Sequence, residues 1–334
     1  MKAVVARRYG GPETVQIVDA PLPEPGEGQV RVRIAASSVN PLDWHELRGT
    51  PYLIRLARGM PQPKDPSLGS DLAGTVEAVG PGVTRFAAGD EVFGYGKGAW
   101  AEHAVVAEKG LAHRPDSVGV EEAAGLGIAA VTALQALRRG GLDAPRTWDG
   151  TGVEPMPPRV MIIGATGGVG SIATQLAAHF GAHVTAVTSA GNRELALRLG
   201  AEAVLDYAAD TLDDGLARYD IVVEASGARP TRELARLLTP DGVLAVVGAP
   251  RGDWIAPVAA VVKRAVANRF TTNTIASILA RRDPADLATL ATLLGEGAIR
   301  VVVGEVYPLE RIADAVRHSE SGHVRGKLIV RIAP

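Results

Sequence analysis

The sequence predicts an α/β protein of two domains, a mostly β N-terminal half followed by a doubly wound parallel sheet. Three observations predict it. Short alternating apolar runs separated by Gly and Pro fill the first hundred residues. From about Glu121 strands and helices alternate instead. In the middle, an apolar strand runs into a glycine cluster and then a helix, over Val160–Ser171. The chain's 334 residues also exceed the usual size of a single core.

In order, strands are expected at 2–6, 14–18 and Gln29–Ala35, with Pro21, Pro23, Pro25 and Gly26 as punctuation between the last two. Leu72–Val79, Glu91–Tyr95 and His103–Val106 follow, turned by Pro81-Gly82 and Gly89-Asp90. Strands at this spacing fit a small, mostly antiparallel barrel. The proline-rich 41–66 segment, with Trp44, Tyr52 and Met60, reads as a long structureless loop, a kind that is usually functional. Glu121–Leu137 has helical spacing, and 138–158 reads as a Gly/Pro-rich loop. Then come Arg159–Ile163 (strand), Gly168–Phe180 (helix), His183–Thr188 (strand), Arg193–Leu199 (helix), Ala203–Leu205 and Ile221–Ala225 (strands), Thr231–Leu238 (helix) and Val243–Val247 (strand). A helix at Asp286–Gly295, a strand at Val301–Val306, a short helix at Leu309–Ser319 and a strand at Lys327–Ile332 close the chain.

Composition excludes several classes. The net charge is −2, so nothing in it draws the chain to nucleic acid. Cys is absent, which removes disulfides, thiolate nucleophiles, iron–sulfur clusters and Cys-based zinc sites. No apolar run approaches membrane-spanning length and no signal pattern opens the chain, so the expectation is a cytoplasmic protein. His179/His183 and His318/His323 lack metal-ligand spacing, because Gly181 interrupts the first pair and Ser-Glu-Ser-Gly the second. No protein-bound metal is expected.

Ala165-x-Gly167-x-x-Gly170 matches the dinucleotide fingerprint with Ala in the first place. Glycine lets the backbone approach a pyrophosphate, and the helix start offers free N–H groups and a positive dipole end. Gly164-x-x-x-Gly168-x-Gly170 also fits a short-chain dehydrogenase. That fold needs Tyr-x-x-x-Lys downstream, and Tyr207, Tyr219 and Tyr307 are followed four positions on by Thr211, Val223 and Arg311. After the second strand of the sheet no carboxylate appears before Glu194. Ser189, Asn192 and Arg193 stand there instead, groups that suit a 2′-phosphate, with Tyr207 within reach of it. The expected cofactor is NADPH.

With these residues in place, the chain resembles the zinc-independent medium-chain dehydrogenase/reductase superfamily, in its quinone oxidoreductase-like branch. The matching pieces are Ser38-Val-Asn-Pro-Leu-Asp-Trp44, Gly69-Ser-Asp-Leu-Ala-Gly74, Gly80-Pro-Gly-Val, Phe86-x-x-Gly-Asp-Glu-Val-Phe-Gly94, Thr132-Ala-Leu-Gln-Ala-Leu137, the glycine loop and Gly322-His-Val-Arg-Gly-Lys327. They span nearly the whole chain in order. The resemblance implies a GroES-like catalytic domain at 1–123, completed by 306–334, around a Rossmann NADPH-binding domain at 124–305. It implies a cofactor held in the cleft between them, and a homodimer. Implied cofactor contacts are Thr132, Gly167, Gly168, Val169, Ser189, Arg193, Tyr207, Ser226, Gly248 and Lys327. Where zinc-containing relatives keep Cys and His-Glu, this chain has Asn40 and Ser70-Asp71.

Without a metal to steady an alkoxide, alcohol oxidation is disfavoured. Reduction of a quinone or an activated C=C is easier, because the developing charge spreads onto a carbonyl oxygen and a few oriented donors suffice. Asn40, His45 and Tyr52 are the candidate catalytic donors, with Asp43 bracing the loop and Trp44 packing. Two other readings stay open: a pathway-specific reductase or cyclase acting on a bulky polyketide-type intermediate, and a non-catalytic NADPH-binding protein.

Overall fold

The computed structural model describes residues 1–145, 156–213, 218–247 and 272–332. The chain runs β1 (Lys2–Val5), β2 (Gln16–Asp19), β3 (Gln29–Val39), α1 (Pro41–Arg48), α2 (Ile54–Arg58), β4 (Asp71–Val79), β5 (Glu91–Tyr95), β6 (His103–Ala107) and β7 (Leu111–His113). α3 (Val120–Ala124), α4 (Gly127–Arg139), β8 (Arg159–Ile163), α5 (Gly168–His179), β9 (His183–Thr188), α6 (Arg193–Arg198) and β10 (Ala203–Asp206) follow. The rest comprises β11 (Tyr219–Glu224), α7 (Thr231–Ala235), β12 (Leu238–Val247), β13 (Thr274–Ile278), α8 (Pro284–Gly295), β14 (Val303–Pro308), α9 (Ile312–Glu320) and β15 (Lys327–Arg331). Its described residues form two compact units: 1–131 with 281–332, and those between Thr132 and Ala280.

The first unit is built on β3, whose first six residues alternate polar and apolar so that Val30, Val32 and Ile34 face a core with Leu72, Val76, Val92 and Leu111. The sheet runs β14-β15-β3-β4-β5-β7, with β6 also on β3. β15 lies antiparallel to β3 with Leu328 opposite Val39. That register sets Lys327, the first residue of β15, beside Asn40, the residue after β3. A second core of Val4, Leu47, Trp100, Tyr307, Ile312 and Leu328 packs α1 and α9 against this sheet.

The second unit is a six-stranded parallel sheet in the order β10-β9-β8-β11-β12-β13. From β8 the chain builds outward through β9 and β10, then returns to build β11, β12 and β13 on the other side. The switch point therefore falls between β8 and β11, where open α/β sheets bind ligands. Met161, Ile163, Val187, Val222, Leu234 and Leu244 form its core.

The structure corrects the sequence expectation in several places. Segment 41–66 is not structureless: Pro41 opens α1, and the Asn40 and Asp43 side chains form a reciprocal capping box there. Residues 14–15 do not join β2, because Pro12 starts a 3₁₀ turn and the Thr14 hydroxyl donates to Gly11 O at 2.7 Å. The helix expected at Glu121–Leu137 is two helices, since the Ile128 N–H donates to Asp71 Oδ1 at 2.8 Å and α4 starts afresh there. The helix expected through Leu238 ends at Ala235, and Leu238 belongs to β12. β13 has no counterpart in the sequence reading. It is an edge strand, so its half-exposed Thr274, Ala276 and Ile278 leave the apolar signal weak. Residues 146–155 of the 138–158 loop lie outside the described residues, and α4 takes up 138 and 139. No helix among the described residues is long and apolar enough to cross a membrane.

Candidate functional site

In the second unit, β8 delivers the chain to a tight turn at Gly164, whose φ of 79° lies in the left-handed region that favours glycine. The Gly164 and Ala165 N–H groups donate to Val187 O on β9 at 3.0 and 3.2 Å, and Gly167 N–H turns back to Gly164 O at 3.0 Å. Thr166 Oγ1 and Thr188 Oγ1 meet at 2.6 Å and fix the loop to the end of β9. A Cβ on Gly170 would lie 2.0 Å from Gly164 O, so only glycine lets α5 start this close to the turn. Gly167 is the N-cap of α5 and no side chain caps the helix. Gly167, Gly168 and Val169 are half-exposed, while Ala165, Thr166 and Gly170 are buried. The result is an accessible cradle of unspent N–H groups at the positive end of a twelve-residue helix, which fits a pyrophosphate.

Around it, Asn192 Nδ2 donates to Ser189 Oγ at 3.1 Å, and Arg193 reaches Val204 O at 2.9 Å through one guanidinium nitrogen. Tyr207 is 51% exposed. Arg229, which the sequence reading passed over, donates to Tyr207 O at 3.2 Å and pairs with Glu233 at 2.6 Å. Ser226 does not present a spare hydroxyl proton: it donates to Glu224 Oε1 at 2.6 Å, which also accepts the Ser226 and Gly227 N–H groups. Glu224 is buried at the end of β11, beside the switch point, and its Oε2 has no partner among the described residues. Thr132 is buried on α4. Gly248 lies outside the described residues.

In the first unit, four chain segments meet in a buried polar network. Asp71, with no solvent exposure, accepts from Ser38 Oγ at 2.7 Å and Asn40 Nδ2 at 2.8 Å through Oδ2, and from Ile128 N–H through Oδ1. Lys327, only 3% exposed, donates to Asn40 Oδ1 at 2.6 Å and lies 3.4 Å from Asp71 Oδ2. Both ends of the Asn40 amide are thus committed to the network. Asp43 sits beside it: Oδ2 accepts Asn40 N–H and Oδ1 accepts Ser70 Oγ, each at 2.7 Å. Burial pushes the Asp43 carboxyl up to about 7. The two hydrogen bonds oppose the shift, and the charges of Asp71 and Glu46 add to it.

His45 Nδ1 meets Thr50 Oγ1 at 3.2 Å, and its ring lies 3.9 Å from that of Trp44. The Arg55 guanidinium lies between Tyr52 and Tyr9, 4.4 and 4.5 Å from their ring centroids. Sequence reasoning treated Asn40 and Lys327 separately, as a donor and a cofactor contact, and missed that they touch. The available signal was a charged residue standing directly before an apolar run, Asp71 before 72–74 and Lys327 before 328–330.

The donor set does not fit zinc. Asp71 has hydrogen-bond donors on both oxygens, Asn40 Oδ1 already holds an ammonium, and Ser70 Oγ is engaged with Asp43. No group of three or more His, Cys, Asp or Glu side chains among the described residues is arranged to hold a metal ion.

Family models described as an alcohol dehydrogenase GroES-like domain and a zinc-binding dehydrogenase match residues 26–116 and 199–330. A chloroplast envelope quinone oxidoreductase homolog of Arabidopsis thaliana is 34% identical, the match covering 99% of this chain and 98% of the relative. An NADPH-dependent alkenal/one oxidoreductase of the same plant is 29% identical, over 100% of this chain and 80% of its own length. A mycobacterial protein solved in complex with NADPH superposes with a TM-score of 0.79 at 27% identity, over 99% of this chain and 100% of its own.

Proposed function

The chain belongs to the medium-chain dehydrogenase/reductase superfamily, in its quinone oxidoreductase-like branch, and from that premise we propose that it is an NADPH-dependent, metal-independent reductase of quinones or enones. The observation that carries the metal-independent part is the Lys327 ammonium, fixed on Asn40 and Asp71 at the positions the resemblance gives to the metal site.

NADPH, when bound, supplies the hydride. The free N–H groups of Gly168 and Val169 in the first turn of α5 would hold its pyrophosphate, and Ser189, Asn192, Arg193 and Tyr207 would receive the 2′-phosphate. Asn40 acts by holding Lys327 in place, since its own amide is spent. The fixed ammonium favours negative charge developing on a carbonyl oxygen, and does so without reorganisation because its partners are already set. Burial favours a proton on Asp43 near neutral pH, and the half-buried Ser70 hydroxyl becomes its outlet once the Ser70–Asp43 hydrogen bond reverses so that the carboxyl donates. His45 and Tyr52 remain the donors assigned to substrate orientation. The assembly proposed with this reading is a cytoplasmic homodimer, and sedimentation of the purified chain tests its oligomeric state.

The relative acting on alkenals and enones favours C=C reduction as the second reading. The test is NADPH oxidation against parallel panels of quinones and of enones and enals, with NADH as control. Quinone turnover with weak use of NADH supports the first reading, and selective enone turnover moves the assignment to alkene reduction. Silence on both panels with NADPH still binding returns the two readings left open by the sequence, a dedicated bulky substrate or a non-catalytic role.

A further inference from the structure

The first unit also holds a cavity of about 220 Å³ that neither the glycine cradle nor the Asp71 network uses, and every residue lining it lies within Met1–Val131. It is bounded by the chain after β1, the second half of α1, α2 and residues 63–68. Ala6, Leu47 and Leu68, all buried, give it an apolar floor.

Its charged lining is unbalanced: Arg8, Arg58, Lys64 and Lys97 face it against Glu46 and Asp65. Both carboxylates are already engaged. Glu46 is ion-paired with Arg58, and Asp65 binds Lys97 Nζ at 2.7 Å through Oδ2 and Ser67 N–H at 3.0 Å through Oδ1. Burial raises the Glu46 carboxyl, and the Arg58 charge opposes that shift. The Arg8 and Lys64 side chains have no ion-pair partner among the described residues.

We propose that this cavity binds a small organic carboxylate, its head on Arg8 and Lys64 and a short apolar body on Ala6, Leu47 and Leu68. An arginine fork and an ammonium together suit a carboxylate head. A volume below the usual range of roughly 300–1,000 Å³ for drug-sized ligands limits the body to a ring or a short chain. Because the cations are exposed, binding weakens with salt.

The test is calorimetric titration with benzoate at low ionic strength, on the full chain saturated with NADPH. One benzoate is expected to bind per chain, benzyl alcohol to give no heat, and the Arg8→Gln/Lys64→Gln double variant to lose affinity by about tenfold or more. Both substitutions are on the surface, so a circular dichroism melt matching the parent separates lost binding from lost fold. Absence of benzoate heat, an unchanged affinity in a folded double variant, or competition by NADPH overturns the proposal. Equal affinity for inorganic phosphate also overturns it, because the apolar floor would then contribute nothing.

Discussion

In the proposed function, the glycine cradle and the Asp71–Lys327 network present positive charge to a ligand in opposite ways. The cradle is backbone, local, and made by leaving side chains out: Gly164 turns the chain, Gly170 lets α5 close on it, and the helix start supplies the field. The network is side chain, non-local and fully buried, joining Ser38, Asn40 and Asp71 to Lys327 across 287 positions of sequence from Asn40. The cradle tolerates an empty state, because half-exposed N–H groups are solvated by water. The network does not, because each of its charges depends on another buried group.

That difference predicts where the larger penalties fall. Lys327→Met leaves Asp71 buried without its cation and is expected to destabilise the chain by about 3–5 kcal/mol in urea unfolding. Adding Asp71→Asn should recover part of that loss, a coupling that two independent defects would not show. A purely additive double variant would mean the ion pair is not the source of the penalty.

Asp43 sharpens the contrast through pH. Burial pushes its folded carboxyl up to about 7 from the ordinary 3.8, so the folded state keeps a proton that the unfolded chain releases first as pH rises. Its contribution to stability is therefore full below the unfolded value, falls as pH rises from 3.8 to about 7, and is flat above. Asp43→Asn removes this slope. Relative to it, the parent should lose on the order of 1 kcal/mol per pH unit across that window. Parallel stability–pH curves for the two proteins would contradict the burial account.

In the cradle the expected effects are smaller. Gly170→Ala forces a Cβ against Gly164 O and is expected to cost about 1–3 kcal/mol and to weaken NADPH binding by tenfold or so, read by fluorescence titration. Arg193→Gln should leave stability within about 0.5 kcal/mol. It should narrow the preference for NADPH over NADH by about tenfold in kcat/KM, the equivalent of one charge-assisted hydrogen bond. An unchanged preference would remove Arg193 from the 2′-phosphate site.

The same contrast explains what could be read from the sequence. The cradle was legible because strand, glycine turn and helix are consecutive, and each glycine's reason is local. The parallel sheet followed from alternating apolar strands and helices. The network was not legible as a unit, because it depends on the β15–β3 register that places Lys327 beside Asn40, and no local spacing encodes that register. Helix α1 was hidden by the prolines around it, although Asn40, Pro41 and Asp43 together spell its start. Arg229 was missed because its partners, Tyr207 O and Glu233, come together only when the loops after β10 and β11 fold side by side.

On the proposed reading, the Lys327 ammonium, held on Asn40 and Asp71, takes the place of a metal. The most direct test of that reading is kcat/KM for quinone and enone reduction by NADPH after exhaustive chelation, with residual metal measured by mass spectrometry. The account predicts full activity in protein stripped of zinc. Activity lost on chelation and restored by added zinc would contradict it.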